Sequence, residues 1–271
     1  MKIKLAKPAP QGAVVAAWVA LLLLLWEFIA WLLHGLMLVK LPDSKLPYLH
    51  KVIISLQDNL PVLIKQGLLT FGNASIGFLI GSAIGISLAI IMSLSNTIEL
   101  TLTPYMVASQ MIPIIGLAPI LYGILHDPDL SRIMMAGYVT FFPVAIHMLR
   151  GLHSVQPEQI ALMRSLAATT WHSYVKLKLP SAMPGLFAGL KISAPLAITA
   201  SIIVELMGAP NGIGVLMISS LYYGAAQVYM FWSTVLVSIA IGLVSFYLLV
   251  LLERWLTPWQ PEFRESGSGG T

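Results

Sequence analysis

Apolar residues in this chain fall into long, nearly unbroken runs, separated by short stretches where charges, prolines and glycines gather. Cutting the chain at those stretches predicts six helical spans, at residues 13–39, 67–93, 104–125, 131–151, 182–207 and 229–252. Each approaches or exceeds the ~20 apolar residues that carry a helix across a bilayer core of about 30 Å. The third begins at Pro104 and ends before the turn-forming "HDPD". Between the first two spans, "YLHKVIISLQDNLPVLIKQ" mixes charges with apolar residues and reads as a short helix lying on the membrane surface. Between the fifth and sixth, "GAPNGIGVLMISSLYYGAAQ" (208–227) has an apolar centre too short to cross, so a re-entrant or interfacial element is expected there.

Composition agrees with the pattern. The chain is 58% hydrophobic and only 10% charged, with a mean hydropathy of +0.86, which excludes a soluble globular domain. Its 271 residues leave no room for a separate soluble domain, so one all-α membrane domain is expected over 13–258. A short tail, 1–12, precedes it, and a Gly/Ser-rich flexible tail, 259–271, follows. The opening "MKIKLAK" imitates a secretory signal, but the apolar run after it is too long, and a retained signal anchor is the reading.

Charge then sets orientation. With the N-terminus inside, ten basic residues (Lys2, Lys4, Lys7, Arg150, Arg164, Lys176, Lys178, Lys191, Arg254, Arg264) face the cytoplasm and five (Lys40, Lys45, Lys51, Lys65, Arg132) face out. The positive-inside rule therefore places both termini in the cytoplasm. The net charge of +4 is the ordinary consequence of such loops, and no nucleic-acid partner is implied. With no cysteine there is no disulfide or thiolate site, and no His and carboxylate cluster has the spacing of a metal site.

Several positions within the spans carry candidate chemistry. Gly77, Gly81, Gly85 and Ala89 recur every four residues, so one face of the second span is smooth enough for a neighbouring helix to approach closely. The third span holds Pro104, Pro113 and Pro119, with Ser109 and Gln110 before the central proline. A kinked polar helix of that kind lines a path, or its Ser and Gln serve as interhelical glue. Glu27 lies near the centre of the first span, where a carboxylate needs a partner, water or a proton; it is either functional or a helix contact with a polar neighbour. Glu205, close to the outer end of the fifth span, is expected to reach interfacial water, and with Ser109 and Gln110 it is assigned to the path. Pro195 predicts a second kink.

Residues 151–184 form the one long polar interval, on the cytoplasmic side by the charge count. Pro157 followed by Glu158 marks a helix start, and Ile160, Met163 and Leu166 share a face of a short amphipathic helix. After "AATT", Thr170 is a fair N-cap for a second short helix, on which Trp171, Tyr174 and Val175 share a face, before Pro180 and Pro184 close the segment. Two short helices with apolar faces and flanking cations make either a docking surface or an element lying along the membrane.

"ALMRSLAATTWHSYVKLKLP", followed by "PSAMPGLFAGLKIS", resembles the cytoplasmic loop of the permease subunits of bacterial ATP-binding-cassette (ABC) importers, in the group that handles nitrate, sulfonates, taurine and related solutes. The likeness runs from "ASQMIP" and "LAP" in the third span to "RWLTPW" at the end of the sixth. The family's pattern is departed from in two places: Ala161, Leu162 and Met163 stand for its Glu-Ala-Ala, and Ala167 for its glycine. That glycine supplies a positive φ, which alanine adopts only at a cost of about 1 kcal/mol, so a different turn is expected.

The resemblance implies about six transmembrane helices of the importer type and a coupling loop contacting a cytoplasmic ATPase through Glu158, Arg164, Ala167, Ala168, Trp171, Tyr174 and Pro180. It implies as partners that ATPase, which binds ATP and Mg²⁺, a second permease copy or paralogue, and an extracytoplasmic solute-binding protein. It places the chain in the bacterial cytoplasmic membrane as a transporter subunit with no catalytic residue and no cofactor of its own. The chain carries no G-x-x-x-x-G-K-[ST] phosphate loop, in keeping with that division of labour. Two other classes remain open from the residues: an ion-coupled carrier, and an intramembrane enzyme, for which no paired acids or Ser/His pair is spaced.

Overall fold

The computed structural model describes residues 11–35, 42–223 and 227–260. The expected tails up to residue 10 and from residue 261, and residues 36–39 of the first expected span, lie outside the described residues. Within them the chain is helical throughout: α1 (Gln11–Gly35), α2 (Pro42–Lys45), α3 (Leu49–Asp58), α4 (Leu60–Leu94), α5 (Asn96–Ser109), α6 (Ile114–Leu125), α7 (Pro128–His153), α8 (Pro157–Ser165), α9 (Thr170–Ser173), α10 (Leu179–Leu206), α11 (Ile213–Tyr222) and α12 (Val228–Leu256). A π-helical turn, Tyr174–Lys178, joins α9 to α10 without a break. Among the described residues five helices are long and apolar enough to cross a membrane, and the bent pair α5 and α6 makes a sixth span if counted as one.

Two expected boundaries move. The second span begins at Leu60, not 67, and takes in the latter half of the stretch assigned to the surface. The break falls at Asn59, whose side-chain amide donates to the Ser55 carbonyl at 2.8 Å. Pro61 then sits in the first turn of α4, where a missing N–H costs nothing. The third span is not one kinked helix. It begins at Asn96, breaks over 110–113 and turns by 88°. Pro113 has no N–H for the Ser109 carbonyl four residues back, and the Tyr138 hydroxyl of α7 donates to that carbonyl in its place. Pro104, by contrast, lies inside α5, and Pro195 lies inside an α10 that runs on as helix.

The chain divides into two compact units. One comprises residues 1–63 and 216–235. There the Trp26 indole donates to the Pro47 carbonyl at 2.9 Å and meets the Trp232 ring edge-on at 4.9 Å. Glu27, half-exposed, accepts from the backbone amide of His50 and lies against its ring nitrogen, both at 3.3 Å. It is the helix contact with a polar neighbour, not a stranded charge. Burial alone would raise the Asp43 pKa, but hydrogen bonds from His34 and Tyr229, with the Lys51 ammonium nearby, hold it below the ordinary value.

The other unit comprises residues 64–215 and 236–271. Its centre is α7, packed between α4 and α10 by glycines. A methyl group at Gly81 would lie 2.8 Å from the Thr140 Cβ and 2.9 Å from the Gly137 Cα, and one at Gly77 would overlap the Ile133 carbonyl. Gly85 continues the stripe against Phe141 and Val144, so the period-four face expected of the second span is the α4–α7 contact. On an adjoining face of α7 that shares Val144 with the first, Gly189 abuts the Pro143 carbonyl, Gly185 that of His147, and Gly151 meets Ala182. Backbones at this distance gain dispersion contacts that lipid cannot match, which is how helices associate where no hydrophobic drive separates them from lipid. We expect Gly81→Val to lower stability by about 1–3 kcal/mol, read as a fall in melting temperature in detergent, because neither backbone can yield.

Candidate functional site

Two features lie at opposite ends of the α4–α7–α10 block, separated along α7 by roughly 30 Å at 1.5 Å per residue. The first is a buried ion cluster. Asp127 caps α7, its carboxylate accepting from the amides of Asp129 at 2.8 Å and Leu130 at 2.9 Å, with Pro128 at the first helical position. One turn on, Arg132 is fully buried. Its guanidinium donates to the Asp129 carboxylate at 2.5 Å, to the Asn211 side-chain oxygen at 2.8 Å and to the Asn211 carbonyl, and its Nε lies 3.3 Å from Glu205 Oε1. That last contact is an ion pair without hydrogen-bond geometry, since Nε has no acceptor in line. Asn73 of α4 donates to Asp129 at 2.9 Å.

Glu205 is equally buried, so the expectation that it reaches interfacial water does not hold. Its Oε1 accepts from the Thr70 hydroxyl at 2.7 Å and its Oε2 from the Gly214 amide at 2.8 Å. The Ile213 amide donates to Thr70 Oγ1 at 3.0 Å, and the Gly212 amide to Gln66 Oε1 at 2.7 Å. Three successive amides at the start of α11, which no helical partner can satisfy, are thus met by three side chains from α4 and α10. Gly212 is at φ +118°, and a Cβ there would occupy the space of the Glu205 carboxylate. Removing one member of a buried pair leaves the other uncompensated, at a cost of about 3–5 kcal/mol.

The second feature is the polar segment. Pro157 is the first residue of α8, which is capped by Gln156 and Gln159 reciprocally. Ala167 follows the helix with φ +54°, so the turn is made in the left-handed conformation without a glycine and the different turn expected for alanine is not adopted. The Ala168 amide donates to the Met163 carbonyl at 3.0 Å and the Ala167 amide to Arg164 at 3.0 Å, the pair of bonds that ends a helix in a Schellman motif. The next helix is capped one residue before the position expected, by Thr169, whose hydroxyl accepts from the His172 amide at 3.1 Å.

This segment is turned outward. Leu162, Leu166 and Trp171 are 59, 68 and 74% exposed, and Glu158, Arg164 and Ala167 are exposed with them. A shallow depression of about 330 Å³ is lined by Met163, Leu166, Ala167, Ala168, Thr169 and His172. Tyr174 does not share the Trp171 face: it is buried, its hydroxyl 2.6 Å from the Ser93 hydroxyl near the end of α4. Pro180 follows the π-helical turn directly, at the second residue of α10, inside a stretch that is helical from Thr170 to Leu206. Of the remaining path candidates, the Ser109 hydroxyl turns back to the Met106 carbonyl at 2.7 Å, while Gln110 is exposed at the α5–α6 break.

Gln66, Thr70, Arg132, Asn211, Gly212 and Gly214 were not singled out from sequence. The available signals were an arginine beside the expected start of the fourth span and the two closely spaced glycines of "NGIG" shortly after Glu205.

Comparison with known proteins agrees with this architecture. The chain is 29% identical over 196 residues to the formylaminopyrimidine transport permease protein ThiX of Halalkalibacterium halodurans, covering 70% of this chain and 76% of that one. It is 27% identical over 257 residues to a probable ABC transporter permease protein of Haemophilus influenzae, covering 94% and 99%. Its fold matches the crystal structure of an amino acid ABC transporter with histidines, at a TM-score of 0.61 and 20% identity, over 74% of this chain and 97% of that one. A model of the family described as binding-protein-dependent transport system inner membrane component matches residues 59–258, and the chain is a member of that family of ABC importer permeases.

Proposed function

We propose that this chain carries a small solute across the bacterial cytoplasmic membrane by alternating access, driven by a separate ATPase that seats on residues 157–172. The observation that carries this reading is the outward face of the polar segment. Leu162, Leu166 and Trp171 are large apolar side chains held exposed on a capped, hydrogen-bonded scaffold that continues without a break into α10. Such a patch, rimmed by Glu158 and Arg164, is the anatomy of a protein interface, with an aromatic anchor at its centre. Both termini are cytoplasmic in this reading, and a second permease copy or paralogue completes the path. An extracytoplasmic solute-binding protein delivers the cargo.

The solute is neutral, of the small heterocyclic kind named for the formylaminopyrimidine and riboflavin permeases among the relatives, in preference to the taurine or nitrate of others. Support comes from Arg132, whose charge is taken up by Asp129, Glu205 and Asn211, and from Gln110, the neutral polar side chain exposed at the α5–α6 break. A dedicated anion cage would need a cation open to the path, and Arg132 is fully buried among these partners.

Co-purification tests the reading. An ATPase should come down with the chain and be lost, by about 2 kcal/mol or more in binding, on Trp171→Ala; ATP-independent uptake by the chain alone in vesicles would contradict it. Ala167→Gly should relieve about 1 kcal/mol of left-handed strain and leave ATPase binding intact or tighter, measured by titrating the partner onto the purified variant.

A further inference from the structure

We infer that Glu205, with Gln66 and Thr70, is a positioning group for transport: it welds residues 208–215 to the α4–α7–α10 block, so that the loop and the start of α11 travel with the segment that meets the ATPase. The inference rests on the permease reading above and adds what lies at the far end of the block.

Three observations carry it. The block is close-packed along its length, because the glycines of α4 and α10 bring backbone against the backbone of α7 and buried side chains fill the contact at either end. At one end the polar segment runs straight into α10, and Tyr174, on the π-helical turn between them, is tied to Ser93 of α4. At the other end the Asn211 oxygens and the amides of residues 212–214 bond to the same three helices. Asn211 goes to Arg132 of α7, Gly212 and Ile213 to Gln66 and Thr70 of α4, and Gly214 to Glu205 of α10.

The chemistry of the cluster argues that it stays closed. Arg132 and Glu205 are both fully buried, and Gly212 leaves no room for water between its backbone and the carboxylate. Opening the cluster would strand two charges and three amides at once, in surroundings where water cannot reach all of them. A gate that opens in every cycle is built from weaker, wetter contacts than these. Residues 208–215 are therefore moved by the block and do not move against it.

The chain has no cysteine, so two can be introduced cleanly. Ser154, at the end of α7, and Pro210, in the loop, are both exposed. Spin labels on Ser154→Cys and Pro210→Cys, in the transporter assembled with its ATPase in lipid, report the length of the block. The expected result is one distance distribution, the same without nucleotide and after trapping with Mg-ATP and vanadate. Adding Thr70→Val, which keeps the volume but removes the hydroxyl, should make the distance differ between the two states. It should also speed amide exchange at 212–214 roughly tenfold or more. A distance that shifts with nucleotide in the Thr70 protein overturns the inference. Should the Thr70→Val variant fail to fold, amide exchange on the wild-type complex decides the matter: equal protection of the three amides in both states supports the weld, and its loss in either state refutes it. Failure of the permease reading looks different, since no ATPase would assemble and no vanadate-trapped complex would form; that outcome removes both.

Discussion

A carboxylate and a guanidinium shut away from water set the terms for the rest of this structure. Glu205 and Arg132 lie 73 residues apart in sequence and 3.3 Å apart in space, with both side chains fully buried. Neither could be tolerated there alone. Each is completed by neighbours that have no other reason to converge: Asp129 and Asn211 around the arginine, Thr70 and the Gly214 amide around the glutamate. Satisfying those groups fixes the start of α11, the path of the loop before it, and the register of α4, α7 and α10 at one end. The glycine contacts then hold that register along the helices.

A bundle built this way transmits displacement as a rod does. Where glycines set backbone against backbone, at Gly81, Gly85 and Gly189, the helices have no room to shift, and the buried side chains at either end are packed too closely to absorb motion imposed at the polar segment. The 88° break between α5 and α6 lies beside the block, where Tyr138 donates to the Ser109 carbonyl and Ala118 of α6 is buried with Met135 and Val139 of α7 and Ala200 and Val204 of α10. Structure at the two ends of the block is thus linked, from Tyr174 and Ser93 at one end to Glu205 and Gly214 at the other.

Much of this was legible in the sequence where the signal is local. The period-four glycines of the second span predicted a close helix contact, and the α4–α7 packing is that contact. Pro157 marked a helix start, and "HDPD" a turn, where His126 adopts a left-handed φ and Asp127 caps α7. What failed did so for physical reasons. Hydropathy registers how apolar a stretch is, not whether it is one helix, so the break at Pro113 and the start of α4 at Leu60 passed unseen. Spacing put Tyr174 on the Trp171 face, but the helix widens at Tyr174 and the ring packs inward. Glu205 was read as a wet interfacial acid because its partners come from helices far away in sequence. Ala167 was expected to force a different turn. It takes the glycine's conformation instead, since two backbone hydrogen bonds and the Thr169 cap over-determine the loop.

The claim that the buried pair organises this end of the molecule is tested most directly by a double-mutant cycle on Arg132→Met and Glu205→Gln, with unfolding free energy measured in detergent micelles. Each single change should cost about 3–5 kcal/mol, because it strands the remaining partner, and the double change should cost well under the sum. Additivity of the two to within about 0.5 kcal/mol would show that the residues do not depend on one another and would contradict the account.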